Sequence, residues 1–293
     1  MNIQFCKMEG TGNDFIVIDD RDGKIEKVIS YEVLAKKVCD RHFGIGGDGL
    51  IVVLNSKIDD LKFRIFNSDG SEPQMCGNGM RCFAKFVYEN SIINKNIFTI
   101  ETLAGTVIPK VFTDDKGFVN EVQVDMGEPI LETVKIPFIS ENTNSKPETI
   151  VVDTKEYEIF PVSMGNPHAV IFIDNINSIS LKDIGPKIEV HEKFPEKTNV
   201  EFAQIISKKQ IVFKVWERGA GITLACGTGA CAVLVAAVLS GKTDNKALIE
   251  LPGGNLSIEW NRENNHIYKT GPAKLVFKGT IEINNNTSIG GTP

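Results

Sequence analysis

Short apolar runs bounded by turn-forming residues dominate this chain, and they predict strands. The opening Met1-Asn2-Ile3-Gln4-Phe5 is strand-like. Phe15 to Asp19 reads as a strand that closes in the turn signal Asp19-Asp20-Arg21-Asp22-Gly23. Further strands are predicted over Leu50 to Leu54, Lys62 to Phe66, Ile97 to Ile100, Gly105 to Phe112 and Val119 to Met126. The polar stretch Glu141 to Pro147 is a loop. Beyond it, strands are predicted over Ile150 to Val152, Ala169 to Ile173, Ala247 to Leu251, Leu256 to Trp260 and Lys274 to Ile283. Three segments have helical character instead. Ser30 to Asp40 spaces Val33, Leu34, Lys37 and Val38 as one helix face would. Gly79 to Glu89 and Gly229 to Ser240 are the two prominent helices, the second stopped by Gly241. The tail Asn284 to Pro293 is polar and Gly-rich and is expected to fray.

Both prominent helices open in the same way. The frame Phe66-Asn67-Ser68-Asp69-Gly70-Ser71-Glu72-Pro73-Gln74-Met75-Cys76-Gly77-Asn78-Gly79 is echoed by Trp216-Glu217-Arg218-Gly219-Ala220-Gly221-Ile222-Thr223-Leu224-Ala225-Cys226-Gly227-Thr228-Gly229, 150 positions on. Gly12-Asn13-Asp14-Phe15-Ile16-Val17-Ile18 is echoed by Gly165-Asn166-Pro167-His168-Ala169-Val170-Ile171, 153 positions on. Two landmarks with nearly one offset point to tandem duplication of a folding unit. The spacing is far longer than the roughly 20–50 residues of a solenoid repeat. Each half therefore reads as an antiparallel, strand-rich layer with a long central helix that begins at its cysteine. No strand–GxGxxG–helix unit opens the chain, and Gly44-Ile45-Gly46-Gly47-Asp48-Gly49 lacks the Gly-Lys-Ser/Thr ending of a phosphate loop.

Composition narrows the classes. The 293 residues suit about two domains. With 42% hydrophobic and 24% charged residues the chain is globular in character. Its net charge of −6 argues against a general nucleic-acid binder. The apolar run Ala230 to Leu239 is too short for a membrane span, which takes about 20 residues. The N-terminus has neither a basic nor an apolar leader region, so a cytoplasmic location is expected. The cysteines at 6, 39, 76, 82, 226 and 231 are scattered, without a Cys-x-x-Cys pair, and the four histidines are dispersed. Reduced thiols, no disulfide framework and no structural zinc are expected.

Cys76 and Cys226 are the candidate chemistry. A thiol at a helix start meets unpaired N–H groups and the helix dipole, which favour a thiolate. Two such thiols on opposite faces of one carbon can remove a proton and return it with inversion. The N–H groups of Gly77, Asn78, Gly227 and Thr228 can receive a carboxylate and the charge that grows on it as the proton leaves. Cys6, Cys39, Cys82 and Cys231 sit in apolar runs and read as core residues. A redox pair, or a Cys–His hydrolase with His168 as base, would also use a cysteine, but the hydrolase leaves the second frame unexplained. Asn13, Asn67, Asn166 and Asn199 stand at strand-to-loop transitions, where Asn is also a common turn former. Glu217-Arg218 ends an apolar strand, with Arg suited to a carboxylate and Glu to an ammonium.

These residues, with Gly10-Thr11-Gly12-Asn13-Asp14-Phe15, Arg41-His42-Phe43-Gly44-Ile45-Gly46, Gly165-Asn166-Pro167-His168, Thr198-Asn199-Val200-Glu201-Phe202 and Ala225-Cys226-Gly227-Thr228-Gly229, resemble the diaminopimelate epimerase family nearly end to end. The family comprises pyridoxal-phosphate-independent isomerases that interconvert LL- and meso-2,6-diaminopimelate. The resemblance implies an α/β (α+β) fold of two similar, pseudo-symmetric domains with the active site in the cleft between them. Residues 1–118 plus 274–293 would form the first domain and 119–273 its duplicate. It implies Cys76 and Cys226 as the two bases, with His168 and Glu217 tuning their protonation. Asn13, Asn67, Asn166, Asn199, Glu217 and Arg218 would hold the substrate's amino and carboxylate groups. Gly77, Asn78, Gly227 and Thr228 would hold the reacting carboxylate. The resemblance further implies no cofactor and no metal, a homodimer, and a place in lysine and cell-wall precursor biosynthesis. One departure is Gly47-Asp48-Gly49, where many members carry Gln and so a further substrate contact. Another is Phe277, where Tyr is frequent at a dimer contact. A proline racemase-like or hydroxyproline epimerase-like enzyme, or a non-catalytic amino-acid-binding module, are the alternatives. Glu217-Arg218 and the four asparagines argue against the first, and the paired thiols against the second.

Overall fold

The computed structural model describes residues 1–283, so the tail expected to fray lies outside the described residues. The chain divides into two compact units, Met1–Val122 with the segment from Pro272 onward, and Gln123–Gly271.

Among the described residues the first unit holds a seven-stranded sheet, two helices and two strands that lie outside that sheet. Its elements are β1 (Asn2–Gly10), β2 (Asn13–Asp19), α1 (Tyr31–Cys39), β3 (Gly49–Leu54), β4 (Leu61–Asn67), α2 (Gly77–Glu89), β5 (Ile100–Thr102), β6 (Gly105–Val107), β7 (Lys110–Thr113) and β8 (Val119–Asp125), whose length contains the unit boundary. The strand predicted over Gly105 to Phe112 is two strands, because Ile108-Pro109 interrupts it and Pro donates no ladder hydrogen bond. The second unit holds β9 (Glu148–Val152), β10 (Lys155–Ser163), β11 (Pro167–Phe172), α3 (Leu181–Glu189), β12 (Asn199–Ser207), β13 (Gln210–Glu217), β14 (Gly221–Ile222), α4 (Gly227–Leu239), β15 (Lys246–Leu251), β16 (Gly254–Trp260) and β17 (Ile267–Gly271). The last strand, β18 (Lys274–Glu282), belongs to the first unit and pairs antiparallel with β1.

The duplication is visible in the strand pairing. In the first unit β1–β2 is antiparallel, β2–β3 parallel across α1, β3–β4 antiparallel, then α2, then β4–β5 parallel and β5–β6 antiparallel. In the second unit β10–β11 is antiparallel, β11–β12 parallel across α3, β12–β13 antiparallel, then α4, then β13–β15 parallel and β15–β16 antiparallel. The fold is a strand-rich α/β architecture in which each helix between parallel strands makes the crossover such pairs require.

Each central helix is buried along most of its length. Residues Gly77 to Val87 of α2 and Gly229 to Ala237 of α4 are buried. α4 needs no polar face, because strands β10 to β13 and β15 to β17 supply apolar partners around it. A second apolar layer in the same unit joins α3 to Phe138, Phe194 and Phe202. Among the described residues no helix is long and apolar enough to cross a membrane.

Candidate active site

In the first unit, β2 delivers Asn13 and α2 delivers Cys76. Gly12, with φ +85°, makes the left-handed turn that starts β2 at Asn13. Cys76 is the N-cap of α2, extended at φ −138°, so the helix begins two residues before the predicted Gly79. Its Sγ accepts the Gly79 N–H at 3.4 Å and donates to Asn13 Oδ1 at 3.9 Å. The Asn13 amide is itself held. Its Nδ2 donates to Asp48 Oδ2 at 2.5 Å, which leaves Oδ1 for the thiol. Asp48 in turn accepts from Arg41 at 2.8 Å, and Arg41 also donates to both oxygens of Asp14 at 2.7 and 3.1 Å. Lys7 completes the cluster 2.6 Å from Asp14. Burial opposes ionisation of Asp14, but the hydrogen bonds from Arg41 and Lys7 outweigh it and hold the carboxyl far below its ordinary range.

The loop that carries Cys76 is pinned from β4. Arg64 grips Glu72 through Nε and Nη2 at 2.7 and 2.8 Å, the bidentate geometry of a strong pair. Asn67, exposed at the end of β4, donates to Ser71 Oγ at 2.9 Å. Gly77 and Asn78 lie in the first turn of α2, where a helix offers no acceptor for their N–H groups. The Asn78 side chain is occupied, accepting from Arg81 Nη1 at 2.8 Å.

The second unit repeats the plan with different side chains. Gly165, φ +91°, turns the chain into Asn166 just before β11. Cys226 caps α4 and accepts the Gly229 N–H at 3.3 Å. Thr228 Oγ1 lies 3.5 Å from the same sulfur and accepts from Asn166 Nδ2 at 3.4 Å. Asn166 Oδ1 faces His168 Nε2 at 3.1 Å, and His168 Nδ1 faces Glu201 Oε1 at 2.7 Å. Asn199 braces the rim: Nδ2 donates to the Pro167 carbonyl and Oδ1 accepts the Arg218 N–H, both at 2.9 Å. The exposed Arg218 guanidinium donates to the Glu196 carbonyl at 3.0 Å, and Glu217 accepts from the Thr223 hydroxyl.

The helix start was expected to favour a thiolate at both cysteines. At Cys226 other forces prevail. Burial, then the Glu217 and Glu201 carboxylates, push its pKa well up, and the Thr228 hydroxyl and Gly229 N–H offset only part of this. Cys226 is 4% exposed and rests as a thiol.

Of the predicted residues, Asn13 gathers with Cys76, Gly77 and Asn78, and Asn166 with His168, Cys226 and Thr228, while Asn67, Asn199, Glu217 and Arg218 bond to groups outside these two clusters. Glu201 was not singled out by sequence reasoning. Its signal was there, a carboxylate inside the apolar run Val200, Phe202, Ala203 of a strand. The Lys7, Asp14, Arg41 and Asp48 cluster carried no such signal, since its members meet only through tertiary structure.

A family model described as diaminopimelate epimerase matches residues 5–132 and 160–276. The diaminopimelate epimerase of Desulforapulum autotrophicum is 56% identical over 283 residues, 97% of this chain and 100% of that protein. The diaminopimelate epimerase of Methanococcus maripaludis is 52% identical over 281 residues, 96% of this chain and 100% of that protein. Among solved structures, a hydroxyproline epimerase from Agrobacterium vitis aligns with a TM-score of 0.68 at 14% identity, covering 98% of this chain and 93% of that one. At that identity the likeness concerns the fold.

Proposed function

The chain belongs to the diaminopimelate epimerase family, and we propose that Cys76 and Cys226 are its two bases, acting on opposite faces of one substrate carbon. It is an isomerase that interconverts LL- and meso-2,6-diaminopimelate. In one direction the Cys76 thiolate takes the α-proton, and the C–H electron pair moves into the carbon and its carboxylate. The Cys226 thiol then gives its proton to the other face, leaving the centre inverted and the protonation of the two sulfurs exchanged. The reverse reaction swaps the roles.

One observation carries this reading. In two units built on one pairing scheme, each cysteine caps its central helix and takes the N–H three residues on, at 3.4 and 3.3 Å. The first-turn N–H groups of Gly77, Asn78, Gly227 and Thr228 receive the reacting carboxylate, where charge accumulates as the proton leaves. Asn13, Asn67, Asn166, Asn199, Glu217 and Arg218 hold the remaining amino and carboxylate groups. His168 acts through Asn166 and Glu201, the two groups it meets.

Incubation with LL-diaminopimelate in deuterated water should give meso product with deuterium at the inverted α-carbon. Cys76→Ala and Cys226→Ala should each lower turnover by roughly 100-fold or more, since both faces need their group. Near-wild-type inversion by either variant would overturn the two-base assignment.

A cytoplasmic homodimer is the proposed state. Among the described residues β18 ends its sheet, with β1 its one neighbour, and it exposes Leu275, Val276 and Phe277. An exposed apolar edge strand is normally covered. Sedimentation at micromolar concentration should report a dimer, and Phe277→Lys should shift it toward monomer.

A further inference from the structure

We infer that Glu201 is a positioning residue: by sharing one proton with His168 it fixes the Asn166 amide and the first turn of α4 around Cys226. Glu201 lies on β12, side by side with β11, and its residue is fully buried, as is His168. A carboxylate so placed is costly unless it is paired. One oxygen is paired, 2.7 Å from His168 Nδ1, while Oε2 is buried with no hydrogen-bond partner among the described residues.

The proton count follows from the chain of contacts. Asn166 Nδ2 donates to Thr228 Oγ1, so Asn166 presents Oδ1 to His168 Nε2. That ring nitrogen must carry a proton. Nδ1 then needs one further proton shared with Glu201 Oε1, on either atom, because a bare Nδ1 and a carboxylate would face each other as two acceptors. A half-charged oxygen without a partner favours keeping that proton on the pair. Burial raises the pKa of Glu201, and the His168 charge lowers it in part. Without the shared proton the ring would turn its one N–H to Glu201. Asn166 would lose its donor and flip, presenting an oxygen to Thr228.

The other side of Glu201 meets α4. A Cβ on Gly229 would lie 2.8 Å from Glu201 Oε1 and 3.2 Å from Cys226 Sγ, so this turn is built around the carboxyl. The same Gly229 N–H reaches Cys226. One buried group therefore borders both sides of the Cys226 environment, the helix turn that holds the sulfur and the amide beside Thr228.

This inference rests on the reading that Asn166 and Thr228 serve the substrate, and the test separates the two. Protein labelled with 15N-histidine has four rings to assign, with His168→Gln marking the one of interest. Without substrate at pH 7, wild type should show a His168 Nε2–H held in a hydrogen bond. Glu201→Leu should leave Nδ1 without a hydrogen bond and the ring with a single proton, and Glu201→Gln should keep the Nε2–H, because the Gln amide supplies a fixed N–H to Nδ1. In kinetics, Glu201→Leu should lower kcat/KM by roughly 10- to 100-fold, the scale of a buried hydrogen bond lost. Glu201→Gln should recover most of that, with melting curves confirming that both variants fold. A bare Nε2 in wild type, or an Nδ1 signal unchanged in folded Glu201→Leu, overturns the inference whatever the activity. Release of Nδ1 in Glu201→Leu with kcat/KM within twofold of wild type leaves the shared proton true and refutes Glu201 as a positioning residue for turnover.

Discussion

Each of the six cysteines meets its own surroundings, and one is set apart by exposure. Cys6, Cys39, Cys82, Cys226 and Cys231 are buried, while Cys76 is partly open. Burial pushes Cys39 and Cys82 up to about 12, which leaves them as thiols at any ordinary pH. Brief treatment with iodoacetamide at pH 8 should therefore modify Cys76 first, read by peptide mass mapping. Equal labelling of Cys82 would contradict its burial. Glycine choice at the two helix starts is just as particular. Gly229→Ala brings a Cβ onto a carboxylate oxygen at 2.8 Å, whereas the same change at Gly79 meets the mobile methyl ends of Ile51 and Ile65 at 3.2 Å. Overpacking costs about 1–3 kcal/mol, against about 1 kcal/mol gained when Ala replaces Gly in a helix. Gly229→Ala should lower both the melting temperature and kcat/KM, and Gly79→Ala should be close to neutral in stability.

Between elements, charge does the joining. Asp14 on β2 binds Lys7 on β1 and Arg41 in the loop after α1. Its carboxyl is depressed in the folded chain, so the unfolded chain binds the proton more readily. The stabilisation is full above the unfolded value of about 4 and fades as pH falls through the folded value. In denaturant melts, Asp14→Asn should be less stable than wild type at pH 7, and the gap should narrow at pH 3. A gap of constant size would exclude Asp14 as the ionised partner. None of this pairing could be read from the chain, because residues 7, 14, 41 and 48 meet only once β1, β2 and the α1 loop are in place. The strands and helices with a clear apolar period were legible, and so were both cysteine-led helices, each started two residues late because Gly at a first turn looks like loop. α3 was not. Gly185 and Pro186 fall in its middle and read as breakers. The structure explains the glycine: a Cβ at 185 would lie 2.7 Å from Trp216 Cβ, so α3 approaches β13 where it has no side chain. Among the site residues, those in the duplicated frames were visible because the repeat marked them. Glu201 has no counterpart in the first frame, and burial alone gave it meaning.

For the whole molecule, the proposed chemistry needs both sulfurs at one carbon. Mild oxidation without substrate should then inactivate the enzyme, with Cys76 found linked to Cys226 by peptide mapping and activity restored by dithiothreitol. A link through Cys39 or Cys82 would count against the shared site. The pairing of β1 with β18 has another consequence, for synthesis on the ribosome. The register joins Asn2 to Glu282, and the Met1 amino group reaches the Ile283 carbonyl at 2.7 Å. The second unit is one unbroken stretch, 123–271, and has all its strands as soon as that stretch emerges. The first unit, although translated first, waits with the edge of β1 bare until the chain has gone the long way round. At roughly 5–20 residues per second, that interval is on the order of ten seconds or more. For that time the nascent chain carries an unpaired apolar edge, a natural client for a holding chaperone.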